Sequence, residues 1–157
     1  MPAMNEQLKD AHYTEMAHDH KSLKHVPFVH HLGVVVDHME PGKAILSLDP
    51  RPEHYNSWGG VHGGVIMTLL DIAMAIAGRS YDPVNLSGVT VDMSSSFISP
   101  GKGKQIATGR VVAQSTTLWR CEAEIHNASN HALVARAIGT FKFKNLANTS
   151  KRPVGDA

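Results

Sequence analysis

The chain contains one long segment, residues 65–77, in which nearly every side chain is apolar or small. It is rich in residues that favour helices, and it is followed by Gly78, a residue type that often caps helices, so a helix of about three to four turns is predicted. Apolar side chains occur around its whole circumference, which predicts a helix buried on nearly every side. The segment is shorter than the roughly 20 residues that cross a bilayer.

Strand-like patterns occur on both sides of this helix. Two precede it and are separated by the turn signal Pro41-Gly42, which predicts a hairpin. Four follow it, and the last alternates most clearly between apolar and polar positions. The six predicted strands are residues 32–39, 44–49, 88–99, 105–114, 118–126 and 133–144. Because such strands cover an apolar helix only by wrapping it, the sequence predicts an α+β fold, an antiparallel sheet of about six strands around one long central helix.

The composition is that of one soluble globular domain, with 157 residues of which 42% are hydrophobic and 18% charged. We expect a polar N-terminal extension (1–27), a folded domain (28–144) and a flexible C-terminal tail (145–157). A formal net charge of +1 without a long basic run argues against nucleic acid or a membrane as a partner. The polar N-terminus lacks the apolar stretch of a signal peptide, so a cytoplasmic location is predicted.

Cysteine and histidine provide no clear site. The single cysteine, Cys121, excludes an internal disulfide and lies on the apolar side of a predicted strand, so we interpret it as a core residue. The pairs His18/His20 and His30/His31 suggest a metal, but neither has further ligands at a recognisable spacing. No metal site is therefore predicted.

The apolar helix contains one carboxylate, Asp71. A lone buried carboxylate is strongly disfavoured, so Asp71 should either have a partner or perform a function. Gly63 and Gly64 stand at the predicted helix start, where backbone N–H groups are free and the helix dipole is positive. Without side chains they let a carbonyl oxygen approach the backbone, as an oxyanion hole requires, although two glycines alone also fit a tight turn.

These residues form part of a longer pattern, Asn-x-x-Gly-x-x-His-Gly-Gly, followed by a helix with Asp nine residues after the His. The pattern resembles the hotdog-fold acyl-CoA thioesterases of the phenylacetate-pathway and 4-hydroxybenzoyl-CoA type. A second match, residues 88–101 with Ser99-Pro100 near its end, is similar to the family's long strand. The likeness covers roughly residues 30–144. It implies a hotdog fold and an enzyme that hydrolyses acyl-CoA to a free acid and coenzyme A. No cofactor is implied beyond the coenzyme A of the substrate.

The resemblance also implies roles for five residues. The Gly63 N–H polarises the thioester carbonyl, and Asp71 acts as general base or nucleophile. Asp71 lies eight residues, about 12 Å, along the helix from Gly63, so the two groups meet at one carbonyl only if they come from two subunits. Asn56 orients the carbonyl or the water through its amide, and Thr90 positions the water. His62 shapes the loop or, as an alternative, serves as a base.

Self-association is expected from the predicted sheet, and the coenzyme A contacts are implied by the resemblance. A small sheet of this kind leaves an edge unpaired, so at least a homodimer is expected, and many members of the family it resembles are tetramers. The candidate residues for coenzyme A are Gly64, Ser99, Pro100, Lys102, Thr116, Arg120 and Lys144. The cationic ones suit its phosphates. The residues expected to line the acyl pocket, for aryl or alkyl chains alike, are Trp58, Met67, Met74 and Tyr81.

Two other functions stay open. The first is hydration or dehydration of an enoyl thioester on the same fold, for which His62 is present although the spacing from Asn56 to Asp71 fits hydrolases better. The second is a non-catalytic acyl-CoA binding protein. The joint presence of Asp71, Asn56 and Gly63 argues against it, because binding alone needs no acid in a pocket.

Overall fold

The computed structural model describes residues 26–145, so the predicted N-terminal extension and C-terminal tail lie almost entirely outside the described residues. Two α-helices and six strands make up this part of the chain. They are α1 (Pro27–Leu32), β1 (Val34–Glu40), β2 (Lys43–Leu48), α2 (Gly63–Arg79), β3 (Leu86–Phe97), β4 (Gln105–Gln114), β5 (Trp119–Asn127) and β6 (Leu133–Asn145). A short 3-10 helix, Pro52–His54, precedes α2. None of the helices within residues 26–145 is long and apolar enough to cross a membrane.

The six strands form one antiparallel sheet in the order β1-β2-β4-β5-β6-β3. All six predicted strands are present, and their borders differ from the prediction by a few residues at most. The alternation predicted for β6 is also present, since Ala135, Ala137 and Phe141 are buried while Arg136 and Ile138 are exposed. The chain places β3 beside β6, so β1 and β3 are the two edges of the sheet. The prediction of a six-stranded antiparallel sheet with one main helix is therefore confirmed.

Helix α2 packs on the inner face of this sheet. Its buried side chains include Leu70 and Met74, which are fully enclosed between the helix and the strands. The backbones come close at Gly109 of β4, where an added Cβ would lie 2.1 Å from the carbonyl oxygen of Ala73. Cys121 of β5 is also in this core, and burial raises the pKa of its thiol to about 11, which confirms the prediction of a structural cysteine.

The prediction that α2 is buried on nearly every side is wrong for the single chain. Gly64 and Met67 are exposed, and Thr68, Asp71 and Ala75 are only partly buried. Spacings of three and four residues place them on one face, which we call the open stripe of α2. The sheet covers the opposite side of the helix and leaves this stripe uncovered, so Asp71 is not enclosed by its own chain.

Gly78 does not cap the helix as predicted. Helix α2 continues to Arg79, and the residue after it, Ser80, has right-handed helical dihedral angles. A Cβ on Gly78 would lie 2.0 Å from the ring of Phe143 in β6, so the glycine permits close packing of helix against sheet. Helix α1 was not predicted, because its six residues are too few to show a helical repeat.

Candidate functional site

The loop before α2 is shaped by the side chain of Asn56. The side-chain Oδ1 accepts hydrogen bonds from the N–H groups of Trp58 (2.9 Å) and Gly60 (3.1 Å). The backbone N–H of Asn56 donates to the Gly60 carbonyl (2.8 Å). Tyr55 and Val61 close the loop as a bridged pair. Because two backbone donors hold Oδ1, the Asn56 NH2 group is left as a donor, and Asn56 lines the adjacent cavity.

His62 caps the start of α2. Its Nδ1 accepts a hydrogen bond from the Gly64 N–H at 2.9 Å, so a neutral ring carries its proton on Nε2. Gly64 therefore has no free N–H for a ligand. The Gly63 N–H, in contrast, makes no hydrogen bond within residues 26–145 and points out of the first helical turn. This contact supports the interpretation that His62 shapes the loop.

A cavity of about 480 Å³ opens in front of this helix start. Six residues predicted from the sequence line it, namely Asn56, Trp58, Gly63, Ser99, Pro100 and Lys102. Its apolar wall is formed by Trp58, Val61, Ile66, Phe97, Ile98 and Val134. The cavity thus combines two N–H donors and one cation with an apolar wall, which suits a carbonyl attached to an apolar group.

Asp71 and Thr90 form a separate pair. The Thr90 hydroxyl donates to Asp71 Oδ1 at 2.7 Å, and Thr90 is exposed on the edge strand β3. Neither residue lines the cavity. Asp71 is about 12 Å along the helix from Gly63, since each residue adds about 1.5 Å. One chain therefore holds the acid and the N–H donors apart.

The predicted coenzyme A residues fall into two groups at opposite ends of the sheet. Lys102 is near the end of β5, because its N–H donates to Asn127 Oδ1 at 2.7 Å. Arg120 is near the start of that strand, about 23 Å away at 3.3 Å per residue. Thr116 and Lys144 lie near Arg120. Thr116 is in the turn after β4, and Lys144 is on the part of β6 beyond Phe141, which pairs with Trp119.

Only Ser99, Pro100 and Lys102 among these candidates line the cavity. Ser99 is one of them, although its hydroxyl already donates to the Leu133 carbonyl at 2.6 Å.

Of the residues expected to line the acyl pocket, Trp58 alone lies on this cavity. Met67 is on the open stripe, and Met74 is fully buried in the core. Tyr81 follows the other end of α2, where it contacts the ring of Trp119. Two lining residues were not predicted, Phe97 and Ile98. They directly precede the Ser99-Pro100 motif and could have been found from that position.

His54 is a supporting residue that was not predicted from the sequence. Its carbonyl accepts a hydrogen bond from the His62 N–H (2.8 Å), and its Nδ1 accepts one from the Arg51 N–H (3.1 Å). The side chain is only 2% exposed. Burial, and secondarily the positive charge of Arg51, lower the pKa of His54. A neutral, buried imidazole therefore anchors the loop that carries Asn56 and leads to Gly63.

Comparison with known proteins places this geometry in a family. The model of the Thioesterase superfamily matches residues 59–134, which run from the end of the loop through α2, β3, β4 and β5 to the start of β6. Acyl-coenzyme A thioesterase 13 of Homo sapiens is 34% identical over 110 residues, which are 69% of this chain and 76% of that protein. A putative esterase of Saccharolobus solfataricus is 32% identical over 112 residues, 70% of this chain and 78% of that protein.

Solved structures agree with these relatives. A mutant of the phenylacetic acid degradation protein PaaI from Thermus thermophilus has a TM-score of 0.65 and 30% identity, covering 74% of this chain and 97% of its own. A thioesterase family protein from Silicibacter pomeroyi has a TM-score of 0.74 over 85% of this chain and 98% of its own, and at 22% identity it supports the fold alone. The comparisons confirm the predicted hotdog fold and the predicted class of enzyme, a thioester hydrolase. The chain belongs to the thioesterase superfamily.

Proposed function

We propose that this protein is an acyl-CoA thioesterase, which hydrolyses an acyl-CoA thioester to a free acid and coenzyme A. One observation carries the proposal: the Gly63 N–H, unused within residues 26–145, lies on the wall of a cavity that also has an apolar side. A helix start adds the positive end of its dipole to this donor. An oxygen that becomes negative during the reaction is stabilised in such a place.

The Asn56 amide is the second donor at this cavity. Its Oδ1 is engaged by the loop, so its NH2 group is oriented away from the two backbone donors. We assign it to the thioester carbonyl or to the attacking water. The family resemblance implies the same role, and the loop contacts supply a physical reason for it.

Asp71 supplies the base or the nucleophile, and it comes from a second copy of the chain. Three features support this arrangement: the open stripe of α2, the hydrogen bond from Thr90, and the place of β3 at the sheet edge. Val89 and Val91 of β3 are 60% and 55% exposed, and an apolar edge strand favours pairing with another strand. The proposed assembly is a homodimer or a dimer of dimers in which helices of two chains lie side by side.

The reaction balances by either of two routes. In the first, Asp71 takes a proton from water, the water oxygen attacks the carbonyl carbon, and the resulting oxyanion is held by the Gly63 N–H. Its collapse breaks the C–S bond, and the departing thiolate takes the proton from Asp71. In the second, the Asp71 carboxylate attacks and expels the thiolate. Water then hydrolyses the mixed anhydride to the free acid and the Asp71 carboxylate, and the remaining proton goes to the thiolate. Neither route needs a metal or a bound cofactor.

Coenzyme A extends from the cavity past Ser99, Pro100 and Lys102, and the Lys102 ammonium binds a phosphate. Thr116, Arg120 and Lys144 lie at the other end of the sheet, so we assign them to a coenzyme A bound at a second chain's cavity. Gly64 contributes to the shape of this region, since its N–H is bonded to His62. The acyl group lies against the apolar wall. A cytoplasmic location remains part of the proposal.

The proposal is tested with a panel of aryl and alkyl acyl-CoA esters, in which the free thiol released is measured over time. Asp71→Asn should lower kcat by roughly 10²- to 10⁴-fold, because the amide neither accepts a proton nor attacks the carbonyl. The matched control is Asp37→Asn, the same change at an exposed position on β1. If no ester is hydrolysed, or if Asp71→Asn is as active as the parent, the assignment is wrong.

The two alternatives predict different outcomes of the same panel. A hydratase would convert crotonyl-CoA without releasing thiol, and product analysis detects that. The contact of His62 with the helix start disfavours this reaction, because the Nδ1 of the ring is already engaged. A non-catalytic protein would bind acyl-CoA in calorimetry and hydrolyse none of the panel.

A further inference from the structure

The turn after β3 lines the cavity and is bound by two buried amide side chains. It carries three of the candidate coenzyme A residues, Ser99, Pro100 and Lys102. Gln105, the first residue of β4, has no exposed surface, and Asn127, the last residue of β5, is 3% exposed. The two residues are paired in the register of these strands.

The two amides and the turn form one hydrogen-bond network. Asn127 Oδ1 accepts from the Lys102 N–H (2.7 Å) and from Gln105 Nε2 (2.8 Å), and Asn127 Nδ2 donates to the Pro100 carbonyl (3.3 Å). Gln105 Nε2 also donates to the carbonyls of Gly103 (2.8 Å) and Lys102 (3.2 Å). The backbone around Lys102 thus depends on side chains of two neighbouring strands.

The other side of the same turn has an independent anchor. The Gly101 carbonyl accepts a hydrogen bond from the Val61 N–H at 2.9 Å, and Val61 directly precedes the helix cap His62. The segment leading to Gly63 is therefore fixed by a backbone contact that needs neither amide. Loss of the amide network should loosen the Lys102 side of the turn and leave the carbonyl-polarising side in place.

The side-chain amide of Gln105 combines an oxygen that has no hydrogen-bond partner within residues 26–145 with an NH2 group that is fully used. Its Oε1 is buried and has no hydrogen-bond partner within residues 26–145. A buried acceptor without a partner destabilises the folded state, so an apolar residue of similar size would suit the packing better. What Gln105 provides, and an apolar residue does not, is the Nε2 group that binds the turn.

We propose that Gln105 and Asn127 are positioning residues that hold the Ser99–Lys102 turn in the conformation that binds coenzyme A. They act through the turn backbone, with Lys102 as the group that reaches the phosphate. They therefore govern recognition of the coenzyme A part of the substrate and have little influence on the thioester itself. This inference rests on the proposed function.

The experiment compares two substrates that share one acyl group: the acyl-CoA and the acyl-N-acetylcysteamine thioester, which lacks the nucleotide and its phosphates. Gln105→Met keeps the side-chain length and removes the donor. We expect KM for acyl-CoA to rise roughly five- to tenfold with kcat within about twofold of the parent, the loss of one or two hydrogen bonds. For the truncated thioester, kcat/KM should equal that of the parent.

A matched control separates positioning from general destabilisation. Ile125→Val removes one methylene from the buried face of β5, two residues from Asn127, and has no bond to the turn. It should lower the melting temperature and leave both KM values unchanged. If Gln105→Met does not fold, Asn127→Ser is used, an uncharged change whose shorter side chain loses the contacts with the Lys102 N–H and the Pro100 carbonyl. The same difference between the two substrates is expected.

The possible results are distinct. An unchanged KM for acyl-CoA in a folded Gln105→Met protein, or an equal rise in KM for both substrates, overturns the positioning role. Failure of the parent to hydrolyse either substrate overturns the proposed function instead. Binding of free coenzyme A to each variant by calorimetry gives a readout without turnover, and Gln105→Met should weaken it by the same factor as the KM change.

Discussion

The first turn and the middle of α2 carry the two halves of the candidate chemistry, and their surroundings differ. At the first turn, Gly63 lines a cavity together with Asn56 and Lys102 of the same chain. In the middle, Asp71 stands on the open stripe with Thr90 as its hydrogen-bond partner. The first environment has its donors, its cation and its apolar wall within one chain, and the second has an uncovered side. This difference is expected if the acid of each chain serves the cavity of another.

Removal of the Gly63 N–H should give the largest effect at the first turn. Gly63→Pro deletes this donor where proline is well tolerated, since Gly63 is the first residue of the helix. The preceding His62 has a ψ angle of 137°, which is compatible with a following proline. We expect kcat to fall roughly 10²- to 10³-fold, the effect of one lost oxyanion-hole donor.

Gly63→Ala is the control, because it keeps the N–H and its Cβ would make ordinary contact with Phe97 at 3.5 Å. It should retain activity within about tenfold of the parent. Equal losses in the two variants would mean that open space at Gly63, and not its N–H, is what the reaction requires.

Mixing two inactive variants tests whether the halves belong to different chains. Asp71→Asn and Gly63→Pro chains are refolded together in equal amounts. In a two-chain site, half of the random dimers contain both variants, and each of these has one intact site, so about a quarter of the parent activity should return.

The reciprocal mixture uses parent chains and chains that carry both substitutions. A two-chain site predicts about a quarter of the parent activity, because only parent homodimers have intact sites, whereas a site within one chain predicts about half. No recovery in the first mixture together with half activity in the second would place the complete site in a single chain.

Asn56→Asp separates the two roles of the Asn56 side chain, which holds the loop through Oδ1 and offers its NH2 group to the cavity. The carboxylate still accepts the N–H groups of Trp58 and Gly60, so the loop and the melting temperature should be preserved. The missing NH2 donor should lower kcat/KM by about tenfold or more, the worth of one hydrogen bond. Asn56→Ala loses both functions and should also melt at lower temperature. An Asp variant with full activity would remove Asn56 from the chemistry.

The smallest effect concerns pH and the anchor His54. The pKa of His54 is lowered in the folded state, mainly by burial and then by Arg51, while Glu53 opposes the shift and His31 adds to it. The ordinary pKa of histidine is 6.5, so near and below this pH the unfolded chain binds the proton more readily than the folded chain does. The free energy of unfolding should therefore decrease as pH falls from about 7.5 to 5.5.

His54→Asn keeps an acceptor for the Arg51 N–H and does not titrate in this range. Melting temperatures measured across the pH interval should therefore fall less steeply than in the parent. The matched control is His131→Asn, which changes an exposed histidine in a left-handed conformation that asparagine tolerates. A parallel decline in the His54→Asn protein and the parent would contradict the role given to His54.

The secondary structure was accessible from the sequence because it depends on short-range patterns. The alternation of β6 and the apolar run of α2 needed no knowledge of distant residues. Gly78 was misread as a cap because the reason for that glycine, the ring of Phe143, lies in the last strand. The open stripe was missed for a related reason, since a uniformly apolar helix does not show which side its sheet leaves uncovered.

The residues of the candidate site were also predicted only where a short sequence motif carries them. The motif that carries Asn56, Gly63 and Ser99-Pro100 predicted the residues that gather at the cavity. It did not reveal that Lys102 and Arg120 lie at opposite ends of the sheet, because both are exposed cations next to turns. His54 was missed because it acts through its carbonyl and a contact with Arg51, and neither leaves a pattern in the sequence.

The position of β3 at the sheet edge links the proposed pairing of chains to protein concentration. If two chains must pair through this strand to place an acid beside a carbonyl, a separated chain still folds around its core but turns over no substrate. Specific activity would then decline on dilution and return on concentration. The amount of protein, and not only the amount of substrate, would set the rate per molecule.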